Sequence, residues 1–223
     1  MDANRVTWNK QQYLLQNVLS QPEEHPEWRT LFLSQHAQVH SHRMSNAGEW
    51  SFEDEVLDEL DDAALRIISS KVEHSIAWIL WHLARCEDLT MNMLIAGNDQ
   101  VFERQGWKKK LRSPFIHTGN KIDAQEILHF SDAIDLEHLK AYRAAVGAST
   151  QQVVNQLTPD ELRQKVRSER MDKVKVLEVV LDPGILNYWS RRTIAGLLLM
   201  PPTRHCFIHL NEALRIKLAL HVK

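Results

Sequence analysis

The sequence predicts an all-α protein. Three observations carry that prediction. Apolar residues recur at steps of three and four over long stretches, the 223 residues include only 7 Gly and 7 Pro, and no repeat, low-complexity tract or linker divides the chain. One helical domain over residues 1–223 is expected.

The elements follow in order. Val6, Tyr13, Leu14, Val18 and Leu19 form the apolar set of a first helix over about 4–19, interrupted at Gln21-Pro-Glu-Glu-His-Pro26. Leu31, Phe32, Gln35 and Val39 recur near the helical period between Trp28 and His42. Asn46-Ala-Gly48 reads as a loop, and Ser51 as the cap of a short helix near 53–60 with acidic residues in its first turn. A long helix is expected over about 63–96, stopped by Gly97-Asn98-Asp99. Residues 98–122 look like an excursion from a regular bundle, with Phe102, Trp107, Phe115 and a basic cluster at Lys108–Lys110. Asp123–Phe130 makes a short helix and Asp135–Leu157 a longer one. Thr158-Pro-Asp-Glu161 then caps another short one, with Pro in its first turn. Val174–Leu181 fits a strand or a helix end. After the turn Asp182-Pro-Gly184, Leu186–Met200 reads helical, and Pro201-Pro202-Thr203 restarts the chain into a last helix ending near Leu220.

Composition narrows the function classes. Hydrophobic residues at 43% and charged ones at 25% are ordinary globular values. A net charge of −2 without a basic block gives nucleic acid no electrostatic footprint. No apolar run approaches the roughly 20 residues of a membrane span, and the start lacks the apolar core of a signal peptide. Cys86 and Cys206 are too few for a disulfide framework. A cytoplasmic protein with neither a nucleic-acid nor a membrane partner is expected. Glycine-rich phosphate loops, the G-x-S-x-G elbow, H-E-x-x-H and C-x-x-C are all absent.

The unusual feature is histidine. One helical seam reads Ile68, Val72, Ser75, Ile79, His82, Cys86, Leu89, Met93, placing His82 where a helix faces its neighbours. A buried imidazole without a partner is costly. Near the C-terminus His205 and His209 stand four apart on an otherwise apolar seam with Ala213, Ile216 and Leu220. Chance alone gives about 0.6 such pairs for 12 His in this chain, and His36/His40 is a second. The spacing alone is therefore weak, and context separates the pairs. His36 and His40 sit among Ser34, Gln35, Gln38, Ser41 and His42, which reads as a solvated or cleft-edge face. Three imidazoles on two facing helices suit one Zn²⁺, Ni²⁺, Fe²⁺ or Cu²⁺ ion with positions left open. The alternative is core histidines bonded to carbonyls or carboxylates.

Ser75-Ile-Ala-Trp-Ile-Leu-Trp-His-Leu-Ala-Arg-Cys-Glu-Asp88 resembles the second-helix signature of the DinB-like (DinB/YfiT) superfamily. Pro202-Thr-Arg-His-Cys-Phe-Ile-His-Leu-Asn-Glu-Ala213 resembles the signature of its fourth helix. The resemblance implies an up-down-down-up four-helix bundle, here with additional short helices. It also implies a divalent ion (Zn, Ni or Fe) on His82, His205 and His209. In the commonest pattern another His and Arg-Gly-Gln follow the last ligand, whereas here Leu210-Asn211-Glu212 follows. The resemblance further implies a metal-dependent enzyme, with a thiol S-transferase using a low-molecular-weight thiol favoured. A metal-dependent hydrolase, or a non-catalytic metal- or ligand-binding stress protein, is the alternative. Homodimers are implied too.

Other residues have functional and bland readings. Cys86 and Cys206 are either thiolate ligands or small buried hydrophobes. Glu87, Asp88 and Glu212 would orient a ligand imidazole or serve as a base toward bound water, with Glu212 the catalytic candidate. Otherwise they pair with Arg85, Arg204 or Arg215 on helix surfaces. His74 is placed near the site mouth. Trp78, Trp81, Trp107, Tyr188 and Trp189 either line a pocket or fill the core.

Overall fold

The fold is built from four long helical rods joined by short helices, in a computed structural model that describes residues 2–45, 50–68 and 73–221. The first rod, α1 (Ala3–Ser20), is capped by Asp2, whose carboxylate accepts from the Asn4 and Arg5 backbone N–H groups. It buries Trp8, Leu15, Val18 and Leu19. Three shorter helices follow, α2 (Trp28–Ala37), α3 (Phe52–Leu57) and α4 (Asp62–Arg66). Ser51 caps α3 by accepting from the Asp54 N–H, as its sequence predicts.

The second rod is α5 (Ile76–Asp88), which runs directly into a π-helical stretch, Leu89–Ala96. Every residue of α5 is buried. The rod is covered on every side, its largely apolar surface together with the buried His82, Arg85, Glu87 and Asp88. It starts later than the periodicity predicts. Ser75 is the N-cap, its Oγ accepting from the Trp78 N–H, and Ile68 lies outside any helix. Val72 and the expected loop at 46–48 lie outside the described residues. Gly97, at φ 75°, ends the rod in the left-handed conformation that favours glycine.

The excursion carries α6 (Val101–Arg104) and α7 (Trp107–Leu111) before α8 (Ala124–Ala133) and the third rod, α9 (Leu136–Gln156). α9 packs along α5 more extensively than any other pair of elements. Then come α10 (Pro159–Arg163), α11 (Ser168–Val176), α12 (Pro183–Ser190) and α13 (Ile194–Leu198). Of Val174–Leu181 only Val174–Val176 is helical, as the end of α11, and the described residues contain no strand, only an isolated bridge between Lys165 and Thr193. The single helix expected over 186–200 is broken by Thr193, whose hydroxyl caps α13.

The fourth rod is the π-helical stretch Met200–His205 followed by α14 (Cys206–His221). Pro201 and Pro202 do not restart the chain as expected; the π turn absorbs them. Proline lacks an N–H and leaves carbonyls unpaired upstream. Here the Thr203 hydroxyl takes the Leu198 carbonyl (2.9 Å) and the Cys206 thiol takes that of Pro201 (3.3 Å). Among the described residues no helix is long and apolar enough to cross a membrane.

A buried polar knot fastens the excursion to α5. The Arg85 guanidinium donates to the Ile116 carbonyl (2.7 Å), the Tyr142 hydroxyl (3.0 Å) and Gln100 Oε1 (2.5 Å). Asp88 accepts from the backbone N–H groups of Val101 (2.8 Å) and Phe102 (2.9 Å) and from the Tyr142 hydroxyl (2.7 Å). Both charges are fully buried and 3.6 Å apart. Removing one partner of such a pair strands the other. Asp88→Ala is expected to cost about 3–5 kcal/mol, against about 1–2 kcal/mol for Tyr142→Phe, both read from urea unfolding midpoints.

Candidate metal centre

His82 lies in the middle of α5, facing the start of the fourth rod. His205 is the last residue of the π stretch and His209 stands one turn further along α14. The structure brings the three together. One nitrogen from each lies within 4.8 Å of the others, and His82 Nε2 is 3.1 Å from His205 Nε2. That separation suits two ligands of one ion at the usual metal–nitrogen distance of about 2.0–2.1 Å.

The outer hydrogen bonds decide which nitrogens face inward. His82 Nδ1–H donates to the Thr118 carbonyl (2.8 Å), and His209 Nδ1–H donates to Glu212 Oε2 (2.8 Å). Both rings therefore turn an Nε2 lone pair toward the centre, as metal-binding imidazoles do. His205 Nδ1 is buried without a partner. Burial, reinforced by the neighbouring His209 ring, lowers the His82 pKa to about 3. Burial, then the His82 and His209 rings, holds His205 well below the usual histidine range. Three converging imidazoles, two of them held toward the neutral form by burial, fit a divalent cation.

Glu212 does more than hold one ligand. Its other oxygen accepts from His74 Nδ1 (2.7 Å). Burial raises its pKa, but the hydrogen bonds from His209 and His74 and their charges outweigh that and bring it to about 2. His74, just before the α5 cap, lies flat on Trp78 (3.8 Å between ring centroids), which lies flat on His82 (4.8 Å).

A cavity of about 580 Å³ opens over the three histidines, walled by residues that include His74, Trp78, Ile122, Ile185, Tyr188, Trp189 and Met200. Of the aromatics singled out from sequence, Trp78, Tyr188 and Trp189 line this cavity. Trp81 and Trp107 belong to the core, and Lys110 covers the Trp107 ring rather than the cavity. Cys86 is also at the cavity wall, 3.8 Å from the His82 ring nitrogens. Burial pushes its thiol pKa up, so it stays protonated and packs as a small hydrophobe. Cys206, pushed up to about 12 mainly by burial, does the same.

His36 and His40 are not on a solvated face. Both are buried, with Nε2 atoms bonded to Glu87 Oε1 (2.8 Å) and Oε2 (2.9 Å). Thr150 Oγ1 donates to the same carboxylate (2.7 Å). Glu87 is therefore not a helix-surface partner of an arginine. Burial raises its pKa, but His40 and His36 more than reverse the shift. This trio also groups three metal-capable side chains, yet both Nδ1 atoms are buried without partners. It lacks the outer hydrogen bonds that two of the other three histidines possess. Sequence reading missed it because the carboxylate arrives from another helix.

The model of the DinB superfamily matches residues 50–181. The chain belongs to the DinB superfamily. The matched stretch includes His82 and ends before His205 and His209, so within this DinB-superfamily chain the grouping of those two with His82 rests on the geometry above. No curated protein matches the chain.

Two outcomes are expected. Plasma mass spectrometry on tag-free protein should find about one divalent ion per chain, lost in His82→Ala and His209→Ala but kept in His36→Ala, while circular dichroism shows the variants folded. Stability should fall with acid. Burial lowers His40 from 6.5 to about 3, so between those values the unfolded chain binds a proton that the native chain does not. Native stability is then full above pH 6.5 and drains away below it. Thermal unfolding followed from neutral pH downward checks this, and a flat melting temperature would mean a natively protonated His40.

Proposed function

We propose that this DinB-superfamily chain is a divalent-metal-dependent enzyme acting on a low-molecular-weight thiol, as an S-transferase. The observation that carries the reading is the set of three imidazoles converging at the floor of an open cavity. Three nitrogens and no carboxylate in the donor set suit Zn²⁺, Ni²⁺ or Fe²⁺ rather than Mg²⁺ or Ca²⁺. Three protein ligands leave room for a substrate atom, unlike a closed structural site. When bound, such an ion acts as a Lewis acid that eases removal of a proton from a thiol or water beside it.

The chain's own residues supply the rest. Thr118 and Glu212 fix the ring orientations of His82 and His209, so the site needs little rearrangement to accept an ion. The wall of Ile122, Ile185, Tyr188 and Trp189 offers an apolar surface to the group accepting the thiol. Burial pushes the Cys86 thiol pKa up, which supports a packing role for it beside His82.

The test is an assay of zinc- and nickel-loaded protein with small thiols, glutathione and cysteine among them, against 1-chloro-2,4-dinitrobenzene. Turnover that needs both the metal and the thiol, and disappears in folded His82→Ala, is the expected result. Ester or amide hydrolysis without a thiol would assign the site to a hydrolase. Metal binding without either reaction would make it a binding module.

A further inference from the structure

One imidazole in the cavity is neither part of the three-histidine group nor core filling. His74 Nδ1 is held by Glu212 at 2.7 Å, on the carboxylate that holds His209 Nδ1 at 2.8 Å. An ionised carboxylate only accepts hydrogen bonds, so His74 must carry its hydrogen on Nδ1. In the neutral ring Nε2 is then the nitrogen that carries the lone pair, and the ring borders the cavity. Trp78 pins that ring flat, with an interplanar angle of 6°. A carboxylate behind an imidazole, fixing its tautomer and awaiting its positive charge, is the arrangement that makes histidine an effective proton acceptor.

We infer that His74 is the general base of this site, taking through Nε2 the proton of the thiol that enters the cavity. The inference rests on the thiol reading above. In the step the S–H bond breaks with its electron pair left on sulfur, and an N–H bond forms at His74 Nε2. The resulting imidazolium is faced by Glu212, so the cavity gains no uncompensated positive charge. Glu212 is a positioning residue, since both its oxygens are engaged by imidazoles. Other charged groups facing His74 are Glu73 beside it and, at the cavity wall, Asp182 and Lys121, 3.8 Å apart. His82 lies beyond Trp78, and His209 beyond Glu212.

The experiment counts protons rather than turnovers. Protein loaded with Co²⁺ is titrated with 2-mercaptoethanol by calorimetry at neutral pH in two buffers of different ionisation enthalpy, while cobalt absorption reports occupancy. Wild type, His74→Phe (which keeps a ring on Trp78) and His74→Gln (which keeps a donor to Glu212) are compared. Wild type should release almost no proton, because His74 retains it. Both variants should keep Co²⁺ and release about one proton, so that their thiol affinity rises about tenfold per pH unit. Equal proton release in wild type and variants would overturn the base assignment and leave the thiol reading standing. Loss of Co²⁺ in both variants would overturn it too, making His74 part of the metal's support. A wild-type cobalt spectrum that ignores the thiol would instead remove the thiol reading, and this inference with it.

Discussion

Everything in this molecule depends on burying a helix that is not wholly apolar. α5 is covered on all sides, yet carries His82, Arg85, Glu87 and Asp88 within two turns. Each must find hydrogen bonds without water, or the helix would not tolerate the centre. Each finds them on segments outside α5. His82 turns to Thr118, Arg85 to Ile116 and Gln100, Glu87 to His36, His40 and Thr150, and Asp88 to the first turn of α6. The surrounding chain is thus arranged by the polar demands of one rod as well as by its apolar surface. The knot of Arg85 and Asp88 fixes the excursion, and the excursion brings the Thr118 carbonyl to His82. Structural and functional groups share one scaffold.

The two histidine groups show how the same residue types reach different ends. In the His36–His40–Glu87 trio the carboxylate is surrounded by donors that engage both Nε2 atoms, while both Nδ1 atoms stay buried without partners. At the other centre the outer partners of His82 and His209 take the N–H groups and leave lone pairs pointing inward. Lone pairs facing one another repel, and a cation relieves that. The difference lies in which groups stand behind the rings, not in the rings.

Much of this was legible in the residues. Helical periodicity, few glycines and prolines and the caps at Ser51 and Thr158 gave the class and several boundaries. The apolar seams carrying His82, His205 and His209 pointed to three residues that do meet. Side chains that reach a distant partner were harder to read. Gln35 and Ser41, whose polarity suggested a solvated face around His36 and His40, are themselves buried. Nothing local reveals that Glu87 lies opposite them. The Thr118 carbonyl has no sequence signature at all, because every residue owns one. The start of α5 was placed too early because Ser75 fits a helical seam as well as it fits a cap. The π turn at Pro201-Pro202 was hidden because its carbonyls are rescued by Thr203 and Cys206.

The partners of Glu87 lie 51, 47 and 63 residues away along the chain, and His205 is 123 residues from His82. Until those segments dock, the polar groups of α5 have water as their partner, and burial without the segments would leave them unpaired. The three histidines therefore converge only where the fourth rod docks against α5, and bringing them together carries the entropy of closing a long stretch of chain.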